Sequence, residues 1–271
     1  MAGINDDTIL DPTPLTGPTG PPGPATTYTN PAPTPVAHGG LPAGSTFAGM
    51  TMQQMFDAIL YPYQYPAFSS FSIQAQANPL EVGNSIPAGV TFLWGTTNPG
   101  NVQANSLVIR DVTNAIDLAI GLADDGSEAV VMGGPITKAA PATHTFRITG
   151  INTLLGTFQR DAVYSWLWRV FAGVSANAAL TEPEIEALAD FSQLSNTFAR
   201  TYNMSAGGYK YVCYPSSFGW ATSWKDQLTG FNIPFVNIGT VSVTNPFGAN
   251  INYNVQRSSN ILGGAVDIIV A

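Results

Sequence analysis

Acid–base or nucleophilic chemistry has few side chains to draw on in this sequence. They are His38, His144, Cys213, the pair Asp124 and Asp125 in LADDGSEA, and Glu182, Glu184 and Glu186 in TEPEIEA. A Ser-His-Asp or Cys-His arrangement needs a histidine held rigidly against its nucleophile, assembled in space rather than along the chain. His38 lies in a stretch with no apolar periodicity, which does not position a base. His144 falls in a strand-like run, and no G-x-S-x-G turn elsewhere presents a serine to it, so a surface histidine on a strand is expected. Cys213 sits in YVCYP among apolar neighbours, the setting of a small buried hydrophobe rather than of a thiolate.

Glycoside cleavage needs only two carboxylates, and it is the reaction the acidic groups would serve. Each group also has a local use. Asp-Gly at a hairpin supplies a positive φ beside solvated acids, and acids in the first turn of a helix complement its dipole. LADDGSE falls short of the D-x-[DN]-x-[DN]-G calcium loop, and neither a phosphate-binding loop nor G-x-G-x-x-G follows a strand. No catalytic set, metal or cofactor is expected, and the chain reads as a non-enzyme.

An aromatic, uncharged texture remains. YPYQYPAF at 61–68 and YKYVCYPSSFGW at 209–220, followed by Trp224, concentrate large rings among few charges. Tyrosine and tryptophan bury much area at small entropic cost while keeping a polar tip, which suits interfaces and sugar-stacking platforms. Tyr63, Tyr65, Tyr209, Tyr211, Tyr214, Trp220 and Trp224 are therefore the expected ligand or partner surface, with core packing as the alternative.

The elements that must carry these residues follow from composition. With 271 residues, 45% of them hydrophobic, the chain can bury a substantial core. Only 10% are charged, against about 25% in typical soluble domains, which favours life in an assembly. A net charge of −8 with only 9 Lys+Arg argues against nucleic acid and anionic membranes as partners. One cysteine excludes an internal disulfide framework. No apolar run approaches about 20 residues, and MAGINDDTILDP lacks the basic start and apolar run of a secretory signal, so synthesis in a cytoplasm without membrane insertion is expected.

Residues 1–45 hold a disproportionate share of Pro, Gly and Thr and are expected to form an extended docking arm. Within it GPTGPPGPA keeps Gly17, Gly20 and Gly23 in the collagen register, which then stops at Thr26. Three triplets make either a stiff polyproline spacer or the fringe of a trimer held together elsewhere. Residues 46–66 form a helix and linker. Thr51 caps a helix whose Met52, Met55, Phe56, Ile59 and Leu60 share one stripe, packing either on the adjacent domain or in a bundle of identical helices.

From Ala67 the period changes to two. FSSFSIQAQ, GVTFLWGT, NSLVIRDV, AIDLAIGL, EAVVMGG and THTFRITG alternate between turn signals, giving an immunoglobulin-like antiparallel β-sandwich over 67–172. DAVYSWLWRVFAG closes it, too crowded with apolar residues for a one-sided strand. Residues 173–271 read as a small α+β domain. Thr181 and Glu184 form a capping box for one short helix with Ile185, Leu188, Ala189 and Leu194 on its stripe, and strands follow to the last residue. The fold class is mainly β.

Several phrases in order, QMFDAILYPYQYPAFSSFSI, EVGNSIPAGVTFLWGTTNPGNV, AGGYKYVCYPSSFG with TSWKDQLTG, and YNVQRSSNILGGAVDIIVA, resemble a module of tailed-bacteriophage virion proteins of the fibre, collar and baseplate kind. The likeness covers roughly residues 50–271. It implies a virion component, trimeric like phage fibres and docked on the particle by its N-terminus, with other virion proteins as partners and no catalytic residues to carry over. A second implication is a fibre tip that binds a host receptor or carbohydrate through aromatic C-terminal loops.

Overall fold

The computed structural model describes residues 46, 48–60 and 63–271. The collagen-register glycines Gly17, Gly20 and Gly23 lie outside them. The chain divides into two compact units, 1–64 and 65–271.

In the first unit helix α1 spans Met52–Leu60. It starts as the sequence requires: the Thr51 N–H donates to Gln54 Oε1 at 2.8 Å, and the Gln54 N–H donates to Thr51 Oγ1 at 3.2 Å, a reciprocal capping box. Gln53 Nε2 donates to Asp57 Oδ1 one turn on, at 2.8 Å. Met52, Phe56 and Leu60 recur at i, i+4 and i+8 and are exposed by 61%, 54% and 64%, while Met55 is half-buried. The side chain of Ile59 lies outside the described set.

The second unit is built of strands. They are β1 (Ala67–Ile73), β2 (Leu80–Glu81), β3 (Ser85–Ile86), β4 (Gly89–Thr97), β5 (Leu107–Asp111), β6 (Ile116–Leu122), β7 (Gly126–Val131), β8 (Ile136–Thr137), β9 (Ala142–Ile151) and β10 (Thr157–Ser175). After the short helix α2 (Glu182–Glu186) come β11 (Phe191–Ser195), β12 (Arg200–Met204), β13 (Tyr209–Pro215), β14 (Trp224–Asp226), β15 (Phe235–Thr244), β16 (Asn250–Ser258) and β17 (Val266–Val270). The fold is mainly β, with sheets that are almost wholly antiparallel.

Sheet β1-β4-β7 faces the β10-β9-β5-β6 part of a larger sheet. Alternation in β9 and β1 sends one side of each strand inward, where Phe71 stacks on Phe92 at 5.5 Å and Phe92 meets Phe146 edge-on at 5.1 Å. The Tyr164 hydroxyl accepts the Ile73 N–H at 2.7 Å, tying the two sheets across this core. Burying each such ring contributes about 1.5–3 kcal/mol.

The larger sheet continues β10-β13-β16-β15, with β11 and β2 also on β10. One of its faces packs on sheet β12-β17-β14, closing Val170, Val212 and Tyr214 against Tyr202, Trp224 and Ile268. The opposite face is covered by Leu180, Ile185 and Leu188 over Phe171, Tyr211, Cys213 and Tyr253. Central strands buried on both faces lose alternation, and in β13 six of seven residues are buried.

Two expectations change here. The helical stripe predicted through Leu194 ends at Glu186, because the chain turns back as β11 to pair with the edge of β10, Trp168 opposite Ser195. The boundary expected after residue 172 falls inside β10, whose nineteen residues pair with β9 along one half and with β13 along the other. The last residues are held as expected: Thr222 and Ser223 N–H groups donate to the Ala271 carbonyl at 2.7 and 3.0 Å.

Candidate functional site

The expected aromatic surface separates into core and surface. β13 places Tyr211 and Tyr214 on its two buried faces. The Tyr211 hydroxyl donates to the Asn177 carbonyl at 2.7 Å, and Tyr214 donates to Gln256 Oε1 at 2.8 Å while accepting the Ala221 N–H at 2.8 Å. Burial pushes both phenols up to about 12. Trp224 is buried against Phe235 at 5.4 Å, ring on ring. Tyr211, Tyr214 and Trp224 are thus core residues and not a contact surface: the sheet that carries the two tyrosines is covered on both sides, and Trp224 belongs to the sheet that covers one of those sides.

Tyr209 is half-buried beneath the Arg257 guanidinium, 4.0 Å from its ring centre. Tyr63 is half-buried, Tyr65 is exposed, and Trp220 is 39% exposed. More exposed are two residues the sequence reading passed over, Leu228 at 93% and Phe231 at 75%. Their turn is built by Asp226, whose Oδ1 accepts the N–H groups of Leu228 and Thr229 at 2.8 and 3.0 Å, and whose carbonyl accepts that of Gly230 at 2.8 Å. The D-x-x-x-G spacing in KDQLTGF, with Gly230 at φ +73°, was the available signal.

The acidic residues disperse. Asp124 and Asp125 are exposed on the β6–β7 turn. Glu182 accepts the Thr244 N–H at 2.6 Å. Glu184 accepts from the Thr181 N–H and hydroxyl at 2.7 Å each, as the capping box predicts, and these bonds hold its carboxyl below the usual range. His144, expected on the surface, is 1% exposed inside the first sandwich. Its Nε2 stands 2.9 Å from Asp111 Oδ1 without hydrogen-bond alignment, and both Asp111 oxygens already accept from Asn114, at 3.0 and 2.8 Å. Burial lowers the imidazole pKa against the pull of Asp111. Cys213 is fully buried, and burial raises its thiol pKa far from any nucleophilic range. Among the described residues no group of three or more His, Cys, Asp or Glu side chains could hold a metal.

One concave site draws on both halves of the second unit. A cleft of about 310 Å³ opens beside Glu81 of β2, Arg169 and Phe171 of β10, Glu186 of α2, Ser192 of β11 and Tyr253 of β16. Glu81, only 4% exposed, receives Arg169 Nε and Nη2 on one oxygen at 3.0 and 2.8 Å. The Tyr253 hydroxyl donates to the Arg169 carbonyl at 2.9 Å. Phe171 and Tyr253, with ring centres 5.6 Å apart, form the apolar wall together with Val243 and Pro246. Nothing in the sequence links these residues, which stand up to 172 positions apart.

No family model matches the chain, and no curated protein matches it. Among solved structures, Streptomyces avermitilis α-L-rhamnosidase complexed with L-rhamnose aligns with 76% of this chain and 23% of its own, at 11% identity and a TM-score of 0.26. The chain thus spans under a quarter of that enzyme, and a likeness at this level carries neither fold nor activity across.

Proposed function

We propose that this protein is a non-enzymatic structural component of a phage virion, of the fibre, collar or baseplate kind, that docks through residues 1–45 and assembles as a homo-oligomer. The observation that carries the reading is the α1 stripe. Directly after a Pro/Gly-rich arm, Met52, Phe56 and Leu60 present an apolar row exposed by more than half. Three copies sharing that row would each gain about 1.5–3 kcal/mol per side chain buried. The low content of charge and the phage-like phrases point the same way. The native mass of the full chain, measured beside that of a chain beginning at Ser45 and of Phe56→Ser, tests it. A trimer that survives removal of the arm and is lost in Phe56→Ser supports assembly through the helix; a monomeric full chain refutes self-assembly.

A second reading is favoured by Trp220, Leu228 and Phe231: a tip that meets a host receptor or carbohydrate through C-terminal loops. Binding of the full chain to host envelope that disappears with Leu228→Ser and Phe231→Ser would select it.

A further inference from the structure

A strand at the end of a sheet presents a row of backbone N–H and C=O groups to any other strand, and proteins blunt such rows with charges, proline or bulges. In the second unit β6 carries Asp117 and two register shifts, β7 carries Glu128, β12 carries Arg200, and β14 carries Lys225 and Asp226. β15 is different. It closes the nine-stranded sheet, has ten residues where no other strand at a sheet end has more than seven, and contains neither a charge nor a proline.

Two hydrogen bonds fix which way its backbone points. The Asn245 N–H turns inward to the Ala249 carbonyl at 2.9 Å, and the Thr244 N–H turns outward to Glu182 Oε1 at 2.6 Å. By the period of two, Val241 and Val243 bond to β16, while Thr240 and Ser242 present N–H and C=O at the outer edge. No described residue bonds to those four groups. The open row has limits at both ends. At one the register shifts between Asn237 and Gly239, leaving Ile238 as a bulge, and at the other Glu182 closes Thr244. Gly239 to Val243 remain, and their middle residue is Val241.

This row is its own complement. A two-fold axis at Val241 sets Thr240 against Ser242 of the other copy and Ser242 against its Thr240, two pairs that exchange both N–H···O bonds. Val241 then meets its counterpart as a non-bonded pair, with Cα atoms about 4.5 Å apart. No like charges oppose each other, the usual obstacle when a strand meets itself. The faces agree as well. Thr240 and Ser242 donate to Asn254 and Asn250 on one side, and Val241 and Val243 join the core of Ile185 and Leu188 on the other, so a second copy continues both a polar ladder and an apolar row.

The geometry points to a two-fold contact between copies of this chain, edge to edge through β15, that joins two nine-stranded sheets into one. It uses no residue of α1 and so goes beyond the assembly proposed above.

The test is disulfide trapping in the full chain. Val241→Cys puts a sulfur on the axis, at a Cα separation within the range disulfides take, about 4.4–6.8 Å. The native Cys213 is buried and stays out of the reaction. Thr244→Cys is the register control, exposed but six residues along from its counterpart, about 20 Å. Leu228→Cys, 93% exposed, is the collision control. Under mild oxidation Val241→Cys should give a linked dimer well ahead of both. Adding Ser242→Pro removes an N–H that the two-fold uses twice, a change a free edge accepts, and should slow trapping about tenfold. Trapping no faster than that of Thr244→Cys, or unchanged by Ser242→Pro, would overturn the proposal. Repeating the experiment with Phe56→Ser separates it from the helix. A dimer still trapped there stands without α1, and trapping that vanishes there overturns the edge contact. A native mass that Phe56→Ser lowers, in a chain that never traps at Val241, refutes the edge and leaves the helix reading intact.

Discussion

Replacing Arg169 by methionine removes the guanidinium from a carboxylate that cannot reach water. Glu81 is 4% exposed and takes both short bonds from Arg169 on Oε2, at 3.0 and 2.8 Å, while its other oxygen has only the 3.4 Å approach of Asn245 Nδ2. Breaking a buried pair from one side costs about 3–5 kcal/mol, and the 31% exposure of the Arg169 side chain, which admits some water, puts the expected loss near about 3 kcal/mol. For a chain of this size that lowers Tm by roughly 6–12 °C. The Tyr253 bond contributes nothing to the loss, because it uses the Arg169 backbone carbonyl, which the substitution keeps. Urea unfolding at pH 7, followed by tryptophan fluorescence, should show a lower midpoint at unchanged slope. The double variant Glu81→Leu with Arg169→Met should return to within about 1 kcal/mol of the parent, since no charge is left stranded. A single variant within about 0.5 kcal/mol of the parent, or a double variant no more stable than the single, would refute the reasoning.

Acid should loosen the first sandwich through His144. Its native pKa lies below the ordinary 6.5, so the unfolded chain binds the proton more readily, and stability falls as pH drops from 6.5 through the native value, by about 1.4 kcal/mol per unit of depression. Asp111, Lys138 and the Phe146 ring surround the imidazole, and His144→Gln should remove this part of the pH dependence in urea midpoints taken at pH 7 and 5. Gly208→Ala should destabilise by at least about 1–2 kcal/mol more than Gly207→Ala, by the same assay. Both have positive φ, but only at Gly208 would a Cβ meet backbone, the Ser175 carbonyl oxygen at 2.6 Å. Cys213 should resist a thiol reagent in the folded protein at pH 8 and react at once in urea; fast reaction without denaturant would contradict its burial.

Much of the scaffold can be read from the chain, because the forces that set it are local. Thr51 caps α1 and Thr181 with Glu184 forms the capping box, both as the sequence predicts, and the change to a period of two near Ala67 marks the first strand. The misplaced aromatics have a common cause. YKYVCYP lies in the middle of a sheet covered on both faces, so its rings alternate between two cores rather than between core and water, and composition cannot tell that from an exposed patch. The cleft was illegible for another reason. Glu81, Arg169, Glu186 and Tyr253 meet only through sheet order, and none carries a local signature.

The length of β10 bears on how such a protein can be inherited and rebuilt. A crossover between Ala172 and Gly173 would tear a strand whose first half completes one sandwich and whose second half completes the other. Moving the join to the exposed bend at 176–179 keeps the strand whole but strips β13 of its neighbour, because Phe171 to Ser175 pair with Cys213 to Tyr209. Neither join leaves both halves intact, so the two sandwiches are poor cassettes for recombination. An exchange that keeps both would have to move the pair together, with the unit boundary before Tyr65 as the natural seam.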